Sequence, residues 1–496
     1  MDVSLTRAAF RDAIADIEKY AVDDLSRTCA FLTPTEYLPA IKRTPLTDRH
    51  ELQIDKKGKR LSIAQAIKLM AKGSLTSEEL AERCIDVVLK RSLELNAFVY
   101  VLPTDEWVAQ ARGLDRERKA GNIRGPLHGV PISIKDVIAV KNMPNTASSR
   151  VLAGNIAKKD AASVKLLWQA GAIITGKTHT HEFALGVTTP QSRNPWDATR
   201  DPGGSSGGSA ITVATGMSLA SLGTDTRASS RVPAALCGIV GFKPTFGQIS
   251  TEGVITLSWS LDHIGCLTQT VEDSAILLNI LARTDGQPDY THYLHKDIKG
   301  LKVGIPTSSL IGSDSGILKV FSQAVQAYRD AGVKVIEIDS PTEQDFRLCN
   351  SMGLILSRCE AATYHRTLDA DPSLYTLPVY EQLDEASKVP AILYLQAQRF
   401  RDEFRQRMLA QLGTLDALLM PTCRVPAPKS NDVERFFLTL SLNCIPWSFI
   451  GFPTISVPCG FTPEGLPVGT QLVAGPMEDG RLLAMAAGLE SGLDGE

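Results

Sequence analysis

One stretch of this 496-residue chain constrains its fold more than any other: PGGSSGGSAITVATGMSLASLGTDTRASSRVPAALCG, Pro202 to Gly238. Glycine and serine crowd its start, and two adjacent serines, Ser229 and Ser230, lie near its end. The segment between reads as a helix followed by a strand, long enough to return the chain beside its own beginning. Glycines permit sharp turns and close backbone approach at Ser205 and Ser206. The segment therefore brings two hydroxyl-bearing turns together. No histidine lies nearby in sequence, so any nucleophilic serine here needs another group to take its proton.

Around this stretch, helix and strand patterns alternate. Thr76 to Glu79 form a capping box that opens a helix with Leu80, Cys84, Val87 and Val88 on one face. Asp160 is placed to cap a helix through SVKLLWQA, ended by Gly171 and followed by the short strand AIIT. LKVGIP reads as a strand, Ile317, Phe321, Ala324, Val325 and Tyr328 as a helix face ended by Gly332, and VKVIEI as another strand. Such alternation predicts α/β architecture, with helices packed around a largely parallel sheet. Residues 1 to 60 read as an N-terminal helical extension, with a helix from Leu5 to Tyr20. It is either an oligomer contact, which leaves a homodimer open, or a cover on the main body. Residues 61 to 496 read as one large α/β domain.

Composition narrows the function classes. A net charge of −3 gives no nucleic-acid footprint. No run of about 18 apolar residues predicts a membrane span. The nine cysteines are scattered without a C-x-x-C pair, which reads as reduced thiols in a cytoplasmic protein.

Three motifs compete with a serine site. GAIITGKT, Gly171 to Thr178, matches the phosphate-loop expression, but its four variable residues read as a β-branched strand where the working motif has its loop. G-x-S-x-G is matched twice, around Ser205 and Ser206. The turn formers NPWDATRDP stand where a nucleophile elbow needs a strand, so an α/β-hydrolase esterase using His263, His292, His295 or His365 is a lesser alternative. HTHE, His179 to Glu182, has its histidines two apart, where a helical zinc site wants four. No metal is expected.

PGGSSGGS, then GTDT-x-x-S-x-R-x-PA-x-CG-x-xG-x-KPT, with GVPISIKD upstream and GKTHTHEF, GFPTISVPCGF and GLPVGTQLV elsewhere, resembles the amidase signature family of serine hydrolases. The resemblance runs from about Leu61 to the end of the chain. It implies a large twisted mixed β-sheet covered by helices on both sides. It also implies a Ser-cisSer-Lys set with Ser229 as nucleophile, Ser205 as the bridging serine on a cis peptide bond, and Lys135 as base. Backbone N–H groups of Thr226, Arg227, Ala228 and Ser229 would form the oxyanion hole. Ser206, Asp225 and Arg231 would support the site, the last two as a salt-bridged frame. No cofactor is implied.

The lysine's role also follows from physical chemistry. A lysine is a poor base at its ordinary pKa of about 10.4, and burial in an apolar strand end such as VPISIK disfavours the ammonium. A neutral Lys135 can then draw a proton from Ser205 as Ser205 draws one from Ser229. This chain departs from the family pattern at Arg227 and Ala228, where two glycines are usual. A left-handed backbone would be strained there, and the Arg227 side chain either reaches the pocket mouth or pairs locally. The expected substrate is a small-molecule amide or carbamate. Alternatives on the same fold are a carbamate or ureido hydrolase and the glutaminase subunit of a tRNA amidotransferase. Asn443 and Trp447 either line the pocket or pack in the core.

Overall fold

The computed structural model describes residues 60–282 and 289–494, so the extension up to residue 59, with its expected Leu5–Tyr20 helix, lies outside the described residues. The strands are β1 (Phe98–Val101), β2 (Pro131–Lys135), β3 (Ile173–Thr178), β4 (Ala220–Asp225), β5 (Val240–Lys243), β6 (His263–Thr268), β7 (Lys302–Pro306), β8 (Lys334–Ile338), β9 (Ala417–Pro421), β10 (Thr454–Phe461) and β11 (Pro467–Val473). They form one sheet in the order β1-β3-β2-β4-β6-β5-β10-β11-β9-β7-β8. Every residue of β2, β3, β4, β5, β6, β9 and β11 is buried. Alternate residues of a strand face opposite sides, so both faces are covered. Only at the far edge does a strand, β8, expose most of its residues.

The sheet is mixed, as the resemblance implies, and not largely parallel, as the helix–strand alternation alone predicts. Pairs β2–β3, β2–β4, β7–β8 and β7–β9 are parallel, whereas β4–β6–β5–β10–β11–β9 run antiparallel throughout. The reason lies in the connections. Helical crossovers join the parallel strands, but β5 reaches β6 through a long loop and β10 reaches β11 through a tight one.

Among the helices, α1 (Ile63–Ala71) and α2 (Ser77–Leu95) each begin with a capping box, at Ser62 and at Thr76 as read from the sequence. On α2, Leu80, Cys84 and Val88 are buried, while Val87 is only half-buried and Ile85 takes its place. After α3 (Thr104–Lys119) comes α4 (Ala162–Gln169), which corrects the Asp160 cap. Its N-cap is Ala161, without a side-chain bond, because the Asp160 carboxylate accepts the Lys141 N–H (2.7 Å) instead. α5 (Gly207–Thr215), α6 (Arg231–Cys237) and α7 (Val271–Leu281) follow. The expected face of α8 (Ser315–Asp330) is buried as read. α9 (Glu343–Arg366), α10 (Leu377–Ala386) and α11 (Ala391–Leu412) build a second apolar core around Phe346, Met352, Phe400, Phe404 and Trp447. No helix among the described residues is long and apolar enough to cross a membrane.

Candidate active site

β2 and β4 are parallel neighbours, so their C-terminal ends lie side by side. Open α/β sheets form ligand crevices at such strand ends. Lys135, the last residue of β2, is 0 % exposed. Its Nζ donates to Thr224 Oγ1 on β4 (2.8 Å) and to Ser205 Oγ (2.7 Å). Burial pushes the Lys135 pKa down to about 7, against the attraction of Asp225 and Asp262.

Ser205 reaches this point on an unusual backbone. The Gly204–Ser205 peptide bond is cis, as the resemblance implies. Gly204 must be glycine, because a Cβ there would sit 2.0 Å from the Thr188 carbonyl oxygen. Asp201 accepts the Gly203 N–H (2.7 Å), and Thr189 Oγ1 donates to the Gly203 carbonyl (2.9 Å) while accepting the Gly207 N–H (2.9 Å). No strand enters this turn, so the nucleophile elbow is absent.

The segment then runs out along α5 and back along β4, as read from the sequence. The return is fastened where Ser206 N–H donates to the Ser229 carbonyl (3.2 Å). Ser206 Oγ donates to the Thr224 carbonyl (3.2 Å), which ties the turn to the end of β4. Ser229 is 6 % exposed and makes no side-chain hydrogen bond among the described residues. Its neighbour Ser230 is committed elsewhere, donating Oγ (2.8 Å) and N–H (3.1 Å) to Asp225 Oδ2. Of the two serines, Ser230 is thus the one bound to Asp225.

Asp225 and Arg231 form the expected frame, fully buried and bidentate, with Nε–Oδ2 and Nη2–Oδ1 both 3.0 Å. Burial alone would raise the carboxyl pKa, but the Arg231 guanidinium overrides it and holds the group well below the usual range. Arg231 also donates to Gln471 Oε1 (2.7 Å), the Cys444 carbonyl (3.0 Å), Ser448 Oγ (2.6 Å) and the Arg227 carbonyl (3.0 Å). The last bond pins the loop carrying the four expected oxyanion donors. Thr226 is held from its side chain, donating Oγ1 to Asp262 Oδ1 (2.6 Å).

Arg227 and Ala228 replace glycines without strain, since neither has a positive φ. The Ala228 methyl packs in a small apolar cluster with Val232, Cys423, Phe437 and Leu440. Arg227 Nη2 donates to Asn350 Oδ1 on α9, so the side chain bridges the loop to that helix.

The competing motifs resolve structurally. Ile173 to Thr178 is strand β3, and Lys177 Nζ is buried against Asp136 Oδ1 (3.3 Å), the Pro144 carbonyl (2.8 Å) and Asn145 Oδ1 (3.1 Å). Burial depresses His179 and His181 to about 4, and Glu182 accepts Ser149 Oγ (2.5 Å) and the Thr376 N–H (2.9 Å). Of the histidines suggested for a triad, His263 faces the Leu261 (2.7 Å) and Asp225 (3.0 Å) carbonyls and Lys243 Nζ (3.3 Å). His365 meets Tyr375 Oη (2.9 Å), and His292 faces Asp289 at the surface. None is bonded to Ser205 or Ser229. Asn443 and Trp447 are core residues: Asn443 ties together Ser309, Pro421 and Arg424, and Trp447 packs edge-on to Phe346. The eight described cysteines are free.

Sequence reasoning did not single out Thr224, Asp262 or Asn350. Thr224 stands inside GTDT and could have been found from the parallel pairing of β2 with β4. Asp262 and Asn350 bond partners 36 and 123 residues away, and nothing local marks them.

A strand-end lysine is thus buried against two hydroxyls, beside a serine turn closed onto a second serine. A family model described as Amidase matches residues 79–483. The A subunit of the glutamyl-tRNA(Gln) amidotransferase of Chloroflexus aurantiacus is 36 % identical over 463 residues, covering 85 % of this chain and 94 % of the relative. An amidase of Pseudomonas putida is 37 % identical over 428 residues, covering 82 % and 91 %. A crystal structure of an amidase superposes with a TM-score of 0.79 at 33 % identity, over 87 % of this chain and 99 % of the other. The chain belongs to the amidase signature family, whose members act on amides.

Proposed function

We propose that this protein hydrolyses a non-peptide C–N bond of a small-molecule amide through an acyl-enzyme on Ser229. The observation that carries the reading is the fully buried Lys135 Nζ at 2.7 Å from Ser205 Oγ. With its pKa near 7, a large fraction of this amine is neutral at physiological pH and has a lone pair to offer. Ser205 passes its proton to Lys135 along that line and takes the Ser229 proton in turn. The Ser229 oxygen attacks the amide carbonyl, and the 226–229 backbone N–H groups receive the oxyanion. A single such donor is typically worth about 10²–10³ in turnover. The leaving amine collects its proton through Ser205, and water then cleaves the acyl-enzyme by the same relay in reverse order.

A second reading, the amidase subunit of a tRNA-dependent amidotransferase, is favoured by the Chloroflexus relative. The two readings separate on the purified protein. Aliphatic amides, aryl amides, carbamates, ureides and glutamine are offered to wild type and Ser229→Ala. Turnover of a small amide by the chain alone, lost in the variant, supports the first reading; a preference for carbamates or ureides would narrow its substrate class. Activity on glutamine that appears only with partner subunits supports the second. Turnover surviving in Ser229→Ala removes the nucleophile assignment.

A further inference from the structure

The loop between β5 and β6 contains a turn, Thr256 to Asp262, that is anchored out of proportion to its length. Asp262, buried, accepts Thr256 Oγ1 (2.9 Å), Leu257 N–H (2.9 Å) and Ser258 N–H (3.0 Å) on one carboxylate oxygen. Glu360 of α9, also buried, accepts Ser258 Oγ (2.8 Å), Ser260 N–H (3.0 Å) and Ser260 Oγ (2.6 Å). Arg401 of α11 donates to the Ser260 carbonyl (2.9 Å), and the turn closes on itself through the Leu261 and Asp262 N–H groups to the Ser258 carbonyl. Burying two carboxylates is costly unless each is satisfied by donors. Here they are spent on holding one short piece of backbone still.

At the apex of that turn is Trp259, flanked by Ser258 and Ser260, both bound to Glu360. It is 53 % exposed and its indole makes no hydrogen bond among the described residues. Scattered exposed apolar side chains need no explanation. A tryptophan fixed at the tip of a doubly anchored turn is a different case, because its ordering has already been achieved by its neighbours. The turn's other attachment is the oxyanion loop: the second oxygen of Asp262 accepts Thr226 Oγ1 (2.6 Å). Trp259 is three residues from Asp262, and Thr226 three from Ser229, so one hydrogen bond couples the indole's platform to the nucleophile's. Glu360 also accepts the Tyr394 hydroxyl (2.8 Å), and the first turns of α11 beside Tyr394 carry the exposed Ile392 (62 %) and Leu395 (60 %).

We infer that Trp259 is a specificity-determining residue at the mouth of the site, where its ring face takes the planar apolar part of an aryl amide while the carbonyl reaches Ser229. The inference rests on the proposed hydrolytic reading and names its substrate class. Aromatic pairs favour offset or edge-on geometry and gain beyond their buried area, so a preordered indole discriminates aryl from short aliphatic groups. Arg227, bridged to Asn350, borders the same loop on the α9 side.

The experiment compares benzamide with propionamide as substrates of wild type, Trp259→Ala, Trp259→Gln and Trp259→Phe. The benzamide-to-propionamide ratio of kcat/KM is expected to fall about tenfold in the alanine and glutamine variants, through KM for benzamide, and to recover in Trp259→Phe. A merely structural role lowers both substrates together and leaves the ratio in place; that result, or a rise in the ratio, overturns the inference. Benzamide is also titrated calorimetrically into Ser229→Ala with and without Trp259→Ala. Weaker binding without the indole supports the inference even if wild type hydrolyses neither amide or Ser229→Ala stays active, which would defeat the hydrolytic reading alone. Equal binding, or none in either protein, overturns it.

Discussion

Two lysines on neighbouring strands show what burial does to an amine and what a partner does to burial. Lys135 closes β2 and Lys177 lies near the end of β3, in parallel register with Ile134 paired to Lys177 and Lys135 to Thr178. They therefore leave opposite faces of the sheet, and both are 0 % exposed. Burial lowers both pKa values. Lys177 has a carboxylate at 3.3 Å, and Asp136 opposes its burial by charge and by hydrogen bond. Among the described residues, Lys135 Nζ hydrogen-bonds only to the hydroxyls of Ser205 and Thr224, and Asp225 and Asp262 act on it by charge alone. One amine is arranged to stay paired and to hold a loop. The other meets uncharged hydroxyls, which suits the base role proposed for it.

The sharpest way to break this contrast is Lys135→Met, which keeps the volume and removes the base. Turnover at neutral pH should fall by about 10³-fold or more while the thermal melting midpoint stays within a few degrees. Intact turnover in the folded variant would end the relay. Lys177→Met should do the reverse. Leaving Asp136 buried and unpaired should cost about 3–5 kcal/mol in urea denaturation, with turnover per folded molecule within about threefold of wild type. If stability is unmoved, the ion pair is not what Lys177 is for.

A pH profile sharpens the same comparison. Lys135 has its folded pKa lowered, so its active neutral form is lost as pH falls through about 7. Initial rates should drop about tenfold per unit below that point and level off above it, and this limb should vanish in Lys135→Met. A flat profile between pH 5 and 8 would assign the base elsewhere. The smallest effect is expected from Ser230→Ala. It removes one bond to Asp225 and should cost about 1.5–3 kcal/mol of stability, with kcat within about threefold. A loss of turnover comparable to that of Ser229→Ala would reverse the assignment of the two serines.

The serine turns and the buried strand end were legible because their determinants are local. A run of glycines around Ser205, the helix-plus-strand spacing to Ser229 and the apolar VPISI before Lys135 each state their own geometry. The family resemblance supplied the connection among them. The mixed sheet was legible only through the resemblance, because β5 pairs with β10 from the far end of the chain and no local pattern announces antiparallel neighbours. The Asp160 cap failed for a related reason: a distant donor, Lys141 N–H, outcompeted the helix terminus for the carboxylate. Ala228 could be counted as a departure from glycine but not explained until its methyl was seen among Val232, Phe437 and Leu440. Asp262 and Glu360, which hold the Trp259 turn, look like ordinary surface acids in the sequence and are buried only by what folds over them.

The clamp on Arg231 sets a timetable for biosynthesis. Its partner Gln471 lies 240 residues further along. At roughly 5–20 residues per second, a ribosome takes on the order of 10–50 s to deliver that partner after the arginine has emerged. Throughout that interval Arg231 has its local partners, Asp225 and the Arg227 carbonyl, but lacks the Gln471 acceptor. A truncation before Gln471 should therefore yield a polypeptide that carries all three candidate catalytic side chains and lacks the last strand's hold on the Arg231 guanidinium.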